Sequence, residues 1–207
     1  REVVGPDGGL LTEAELDAAL AWLAATPAIR EVILTGGDPL MLSARRLSEI
    51  LGRLSGMEHI ETLRIHTRVP VADPARVTAP LVGALRQAKP VFIAVHANHA
   101  REFTPDAARA LAQLAEAGVP LLGQTVLLRG VNDDATALEA LLRAMIRNRI
   151  KPYYLHSLDP APGTARFQVA EAEGLALMAA LRGRLPGHAL PLFIRETPMG
   201  GGKKPVD

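Results

Sequence analysis

The sequence has 207 residues, enough for one sizeable domain and too few for two. Hydrophobic residues make up 48% and charged residues 22%, and the formal net charge is +1, as in an ordinary globular protein. This charge argues against a protein held to nucleic acid or membranes by electrostatics, and no apolar run reaches the roughly 18 residues that span a bilayer. No charged-then-apolar leader opens the chain.

Cysteine is absent from the sequence. Its absence excludes disulfides, thiolate zinc sites, a cysteine nucleophile and any iron–sulfur cluster held by thiolates of this chain alone. It also fits a protein of the reducing cytoplasm, which is the location we predict.

Apolar runs bounded by glycine and proline predict β-strands along the whole chain. The ends of the first five lie about 30 residues apart, the spacing of a strand, a loop, a helix and a return. The runs occupy residues 31–35, 61–66, 90–96, 120–127, 151–156 and 190–195.

Amphipathic patterns between these runs predict helices. The first opens with a capping box of Thr12 and Glu15, and the pattern at 104–117 ends at Gly118, a typical C-terminal glycine. The predicted helices occupy residues 12–25, 43–54, 78–88, 104–117, 134–148 and 169–184. This alternation predicts an α/β protein with parallel strands and right-handed crossovers.

An open doubly wound sheet and a barrel both satisfy the pattern. Even spacing, and polar residues at the end of nearly every strand, favour the barrel. Five or six βα units are too few to close the usual eight. We therefore predict one domain, residues 1–207, that forms a partial (β/α) barrel with its site at the carboxyl ends of the strands.

Polar residues gather at these predicted strand ends. Each has a simple structural explanation, such as a turn former or a hydrogen-bonded histidine, but their joint placement predicts one site. The set comprises Gly36, Gly37, Asp38, His66, Arg68, His96, Asn98, His99, Gln124, Arg129, His156, Asp159, Arg195 and Glu196.

The residues leave two chemistries open. Metal-dependent hydrolysis could use His66, His96, His99 and Asp159, although no His-x-His pair opens a strand. Alternatively, Lys203 follows three glycines at 200–202 in a context that does not match a phosphate-binding Walker loop. A lysine amine desolvated at a barrel mouth can form a Schiff base, and pyridoxal phosphate is the cofactor most often held that way.

Six segments taken together resemble the lysine 2,3-aminomutase family of the radical S-adenosylmethionine superfamily. They are TGGDPL at 35–40, RIHTRVP at 64–70, HANH at 96–99, QTVLLRGVND at 124–133, KPYY at 151–154 and GGGK at 200–203. The resemblance covers the whole chain, and the segment at 124–133 is its most specific part.

The resemblance implies a partial (β/α) barrel of the radical S-adenosylmethionine type, with its first βα unit missing. It also implies that the C-terminal segment, 196–207, carries the lysine that binds pyridoxal phosphate. Enzymes of this family use S-adenosylmethionine, a 4Fe-4S cluster and pyridoxal phosphate, and they need an electron donor for the cluster. A deoxyadenosyl radical takes hydrogen from the β-carbon of L-lysine, and the amino group migrates to give β-lysine. The implied activity is that of an isomerase, with no nucleic acid or membrane partner and with homo-oligomerisation left open.

The resemblance also implies roles for single residues. Gly36, Gly37 and Asp38 match the motif that receives the amino group of S-adenosylmethionine, and Lys203 matches the lysine that binds pyridoxal phosphate, with Lys204 a bystander. Asp159 and Glu196 match two acids that grip the distal ammonium of the substrate, the glutamate standing in place of an aspartate. Further residues that resemble the set facing S-adenosylmethionine are Arg64, His96 and Gln124.

One departure from the family is large. Its three cluster-binding cysteines, spaced CxxxCxxC, are absent, and residues 1–5 resemble the segment that follows them. We therefore expect the chain to be part of a longer protein and to be inactive alone. Two alternatives stay open. One is the related branch that supplies β-lysine for elongation factor P, whose sequences are similar at His156, Leu158 and Asp159, and the other is a non-catalytic barrel module.

Overall fold

A computed structural model of the chain describes residues 11–197 and 202–207. Its centre is one seven-stranded sheet whose strands follow in chain order. The strands are β1 (Glu31–Leu34), β2 (Thr62–Thr67), β3 (Val91–His96), β4 (Leu121–Val126), β5 (Lys151–His156), β6 (Leu192–Glu196) and β7 (Lys203–Pro205). The helices are α1 (Glu13–Ala24), α2 (Ala44–Ser55), α3 (Val69–Ala72), α4 (Ala79–Ala84), α5 (Pro105–Glu116), α6 (Ala135–Arg147) and α7 (Glu171–Arg182).

The sheet confirms the partial (β/α) barrel. Strands β1 to β6 pair in parallel, each with the next, so their carboxyl ends lie along one edge. Strand β7 runs antiparallel to β6 and was not predicted. Its three residues carry two lysines and a proline, a composition that gives no strand signal.

Alternation along the strands separates an apolar face from a polar one. In β2, Leu63 and Ile65 belong to the apolar core, whereas Arg64 and His66 are half-buried on the opposite, concave face. Leu47 and Leu51 of α2 belong to the same core. The helices therefore cover the outside of the sheet, and the inside of the barrel is left for polar side chains.

Helix ends follow local signals. The capping box of Thr12 and Glu15 is present at α1, and Gly118 adopts φ +81 after α5, as predicted. Helix α4 is shorter than the predicted 78–88, because Leu85 and Arg86 bond back to carbonyls three residues earlier and Gln87 caps the Ala84 carbonyl. Within the part of the chain that the structure describes, no helix is long and apolar enough to cross a membrane.

Candidate functional site

One cavity of about 730 Å³ opens at the carboxyl ends of the strands, a volume within the range of small-molecule sites. It contains most of the residues to which the family resemblance assigns a role. Those in its wall are Gly37, Asp38, His96, Gln124, Asp159, Glu196 and Lys203, joined by His66, Thr67, Arg68 and His156 from the strand ends.

The turn after β1 depends on two glycines. Gly36 and Gly37 have φ values of +82 and +52, the left-handed region that other residues rarely adopt. A Cβ at either position would meet nothing within 4 Å, so glycine is needed for the backbone conformation and not for space. The turn thus offers exposed backbone groups at the rim of the cavity.

Asp38 holds this turn against the end of β2. Its Oδ1 accepts hydrogen bonds from the Thr67 hydroxyl at 2.6 Å and the Leu40 amide at 3.1 Å, and its Oδ2 accepts one from the Arg68 amide at 2.7 Å. Three protein donors therefore already use the carboxylate. These hydrogen bonds fix the position of the glycine turn. The contact of Asp38 with a ligand ammonium stays a prediction.

Arg64 precedes His66 by two residues on the same face of β2 and is not among the residues that line the cavity. Its Nη2 donates to Glu31 at 2.9 Å, its guanidinium carbon lies 5.8 Å from the centre of the Tyr153 ring, and its side chain is 12% exposed. Its Nε is buried and has no hydrogen-bond partner among the described residues. Arg64 thus contacts Glu31 and Tyr153 and is not part of the cavity wall, so its contact with S-adenosylmethionine stays a prediction.

His66 and His156 both line the cavity, and the charges of Lys203 and Glu196 act on both rings. Burial, then the Arg64 guanidinium and the Lys203 ammonium, lowers the pKa of His66 to about 4. Burial and Lys203 lower the pKa of His156 to about 4 in the same way. Both rings are therefore neutral at neutral pH. The buried Nε2 of His66 has no hydrogen-bond partner in residues 11–197 and 202–207.

His96 stands at the end of β3 and pairs in register with Gln124 of β4. Its Nε2 lies 3.1 Å from Oδ1 of Asn98. Burial, together with the positive charge of Arg68, lowers the pKa of His96, so this ring is neutral as well. The side chains of His96 and Gln124 thus bring both hydrogen-bond donors and hydrogen-bond acceptors to the cavity wall.

Lys203 reaches the cavity from β7. Its Nζ lies 3.1 Å from Oε1 of Glu196, its register partner on β6, and Thr197 donates two hydrogen bonds to the Gly202 carbonyl. The glycines at 200 and 201 lie outside the described residues. Asp159 lines the same cavity, so the Lys203 amine shares it with the carboxylates of Asp159 and Glu196, in addition to that of Asp38.

Five residues of the predicted strand-end set do not line the cavity, namely Gly36, Asn98, His99, Arg129 and Arg195. Arg129 bonds both oxygens of Glu173, at 2.8 and 2.9 Å, and Arg195 donates to Glu171 at 2.8 Å. Nδ1 of His99 accepts a hydrogen bond from the backbone N–H of Arg101. Within the described residues, no three histidine, aspartate or glutamate side chains come together as a metal site would require. The geometry therefore gives the metal-hydrolase interpretation no support.

No protein-family model matches the chain. The L-lysine 2,3-aminomutase of Fusobacterium nucleatum is 38% identical over 206 residues, which are 100% of this chain and 48% of that protein. The chain belongs to the lysine 2,3-aminomutase family. The glutamate 2,3-aminomutase of Clostridioides difficile is 35% identical over 100% of the chain and 49% of its own length. The chain thus spans about half the length of these aminomutase relatives.

Solved structures agree with the aminomutase assignment at the level of fold. A radical SAM methyltransferase from Sphaerobacter thermophilus superposes with a TM-score of 0.62 at 18% identity, covering 88% of this chain and 56% of that chain. SuiB from Streptococcus suis superposes with a TM-score of 0.63 at 13% identity, covering 88% of this chain and 43% of the SuiB chain. The chain therefore shares the partial (β/α) barrel fold of these two proteins.

Proposed function

We propose that the chain is the cofactor- and substrate-binding barrel of an aminomutase that converts L-lysine to β-lysine. The observation that carries the proposal is that Lys203, the carboxylates of Asp159 and Glu196 and the glycine turn share one cavity. They do so in a chain that is homologous along its whole length to L-lysine 2,3-aminomutases.

The residues present fit S-adenosylmethionine. Exposed backbone at Gly36 and Gly37 suits an ammonium, His96 and Gln124 offer polar contacts farther along the wall, and the buried His66 Nε2 has no partner in the described protein. An orphaned buried polar atom in a cavity wall is a good place for a ligand group. When bound beside a reduced cluster, S-adenosylmethionine supplies the radical that removes hydrogen from the substrate.

The site also fits pyridoxal phosphate. Lys203 places a primary amine in the cavity, and Glu196 holds it at 3.1 Å. Pyridoxal phosphate, when bound to a lysine, supplies the covalent carrier for a migrating amino group. The neutral rings of His66 and His156 add no positive charge beside Lys203, so they do not oppose a further cation in the cavity.

The chain's own residues do not fit the cluster. None of its 207 residues is cysteine, so it offers no thiolate ligand for iron. We therefore propose that the chain by itself does not turn over and that the thiolates come from sequence outside it.

The charge of the cavity supports lysine over glutamate as the substrate. Asp159 and Glu196 both line the wall, and either can accept hydrogen bonds from the distal ammonium of lysine. Glutamate would place a third carboxylate beside these two, and like charges at close quarters are unfavourable. Glu196 already bonds Lys203, so its role toward the substrate is shared with the lysine.

The test is an anaerobic assay of the protein produced with the coding sequence that flanks the chain in its gene. It is reconstituted with iron, sulfide, pyridoxal phosphate and S-adenosylmethionine and given L-lysine or L-glutamate in parallel. We expect β-lysine, and no β-amino acid from glutamate. No product from lysine, or preferential conversion of glutamate, would overturn the proposal.

A substitution tests the substrate role of Asp159. Asp159→Asn keeps the shape of the side chain but removes its charge, so lysine binding should weaken by on the order of 2 to 5 kcal/mol. S-adenosylmethionine binding, measured by calorimetry on the same sample, should stay within about twofold. Equal weakening of both would refute a specific contact with the substrate.

A further inference from the structure

Asn98 receives two hydrogen bonds on the same side-chain atom. The amide of Val126 donates to its Oδ1 at 3.0 Å, and Nε2 of His96 lies 3.1 Å from that oxygen. A backbone N–H is only ever a donor, so the atom it meets must be the amide oxygen and not the nitrogen. Since an amide oxygen only accepts, His96 must carry its proton on Nε2.

The second nitrogen of His96 then has a defined role. A neutral imidazole carries one proton, so protonation of Nε2 leaves Nδ1 as an acceptor. His96 lines the cavity, and Nδ1 has no donor among the described residues, yet it is not one of the buried atoms that lack a partner. It is therefore open to solvent and to a ligand.

Asn98 is itself held from both sides. Asn132, whose side chain is fully buried, donates Nδ2–H to the carbonyls of Asn98 and Val126 at 2.9 Å each. The backbone N–H of Asn98 donates to Oε1 of Glu102 at 2.6 Å. The end of β3 and the end of β4 are thus joined through one asparagine whose backbone and side chain are both fixed.

We propose that Asn98 is a positioning residue that fixes His96 as the Nε2–H tautomer, so that Nδ1 faces a ligand as a hydrogen-bond acceptor. The wall at His96 therefore selects a donor group, a hydroxyl or an ammonium, and not a carboxylate or phosphate oxygen. The tautomer follows from the protein alone. Only the occupant, S-adenosylmethionine, rests on the proposed function.

The experiment is nitrogen NMR of the full chain labelled with 15N-histidine, at neutral pH and without ligand, with His96→Gln used for assignment. We expect His96 to show one protonated nitrogen, Nε2, and an unprotonated Nδ1. Asn98→Ala should expose the Nε2 proton to water, with exchange about fivefold to tenfold faster, and should populate the Nδ1–H form. Asn98→Asp, which keeps an accepting oxygen, should retain the Nε2–H form.

A matched control is Asn148→Ala, because Asn148 bonds, among the residues that the structure describes, only within its own helix end and lies outside the cavity wall. Its His96 signals should equal those of the unaltered chain. An Nδ1–H form in the unaltered chain, or a His96 spectrum unchanged in Asn98→Ala, overturns the proposal. Because no ligand is present, these outcomes are independent of whether S-adenosylmethionine binds, which a separate titration decides.

Discussion

Thr67 donates its hydroxyl proton to Oδ1 of Asp38 at 2.6 Å, although 29 positions separate them in the chain. Thr67 is 3% exposed, and the same hydroxyl oxygen accepts the Val69 amide at 3.0 Å. One buried hydroxyl therefore connects the carboxylate behind the glycine turn to the first residues after β2.

Removing that hydroxyl should loosen the turn. Thr67→Val keeps the shape of the side chain but leaves Asp38 and the Val69 amide each short of a partner, so the free energy of unfolding should fall by about 1 to 3 kcal/mol. Urea unfolding measures the loss, and Thr67→Ser, which keeps the hydroxyl, is the control. Equal stability of the valine and serine variants would show that the bond contributes nothing.

Helix α7 packs close to β6 because Gly174 has no side chain. A Cβ there would lie 2.5 Å from Cζ of Phe193, whereas one at Gly83, also helical, would meet nothing within 4 Å. Gly174→Ala should therefore cost about 1 to 3 kcal/mol through overpacking. Gly83→Ala should be neutral or stabilising by up to about 1 kcal/mol. Thermal unfolding of both variants checks the contrast, and equal effects would contradict it.

The two adjacent lysines offer a matched pair. Lys203 lines the cavity, while Lys204 pairs in register with Arg195 and does not line it. When pyridoxal phosphate is added, Lys203→Ala should lose the visible absorbance of the lysine adduct and Lys204→Ala should keep it. Mass spectrometry after borohydride reduction locates the modified residue. A label on Lys204, or one that survives in Lys203→Ala, would reject the assignment.

Acid should weaken the fold before the carboxylates titrate. Histidine in an unfolded chain has a pKa of about 6.5, whereas burial lowers the pKa of His66 and His156 to about 4. Between these values the unfolded chain binds more protons than the folded one, so the free energy of unfolding falls as the pH falls. Below pH 4 these two groups add no further loss.

Urea midpoints between pH 7.5 and 4.5 measure this slope. The double variant His66→Gln, His156→Gln should flatten it, leaving the part due to His96, whose pKa is also lowered. Above pH 7 the curve should be flat with respect to these groups, which serves as the internal control. A slope that is unchanged in the double variant would assign the pH dependence to other residues.

Local signals predicted the regular elements well. The capping box at Thr12, the glycine after α5 and the six parallel strands all depend on neighbouring residues, and the structure contains each of them. Strand β7 escaped prediction because its existence depends on pairing with β6 and not on its own composition. The side chain of Gln87 caps α4, but no sequence pattern around Gln87 distinguishes a helix that ends there from one that continues.

Partners distant in sequence limited the prediction of the site. Strand-end position alone brought His66 and His156 into the candidate set but gave no reason to expect lowered pKa values, which come from burial and from Lys203. It also could not separate Arg195, which turns toward Glu171 outside the cavity wall, from Glu196 next to it, which lines that wall. Alternation of side chains along a strand is visible in sequence, but which face a strand end presents depends on the sheet around it.

The antiparallel pairing of β7 bears on how Lys203 can move. Backbone pairing between Glu196 and Lys203, and again between Ile194 and Pro205, anchors the main chain on both sides of Lys204. The amine can therefore leave or enter the cavity only by rotation about the bonds that join the four methylene groups of its own side chain. Exchange of the lysine amine for an incoming amino acid would thus require no unzipping of the sheet.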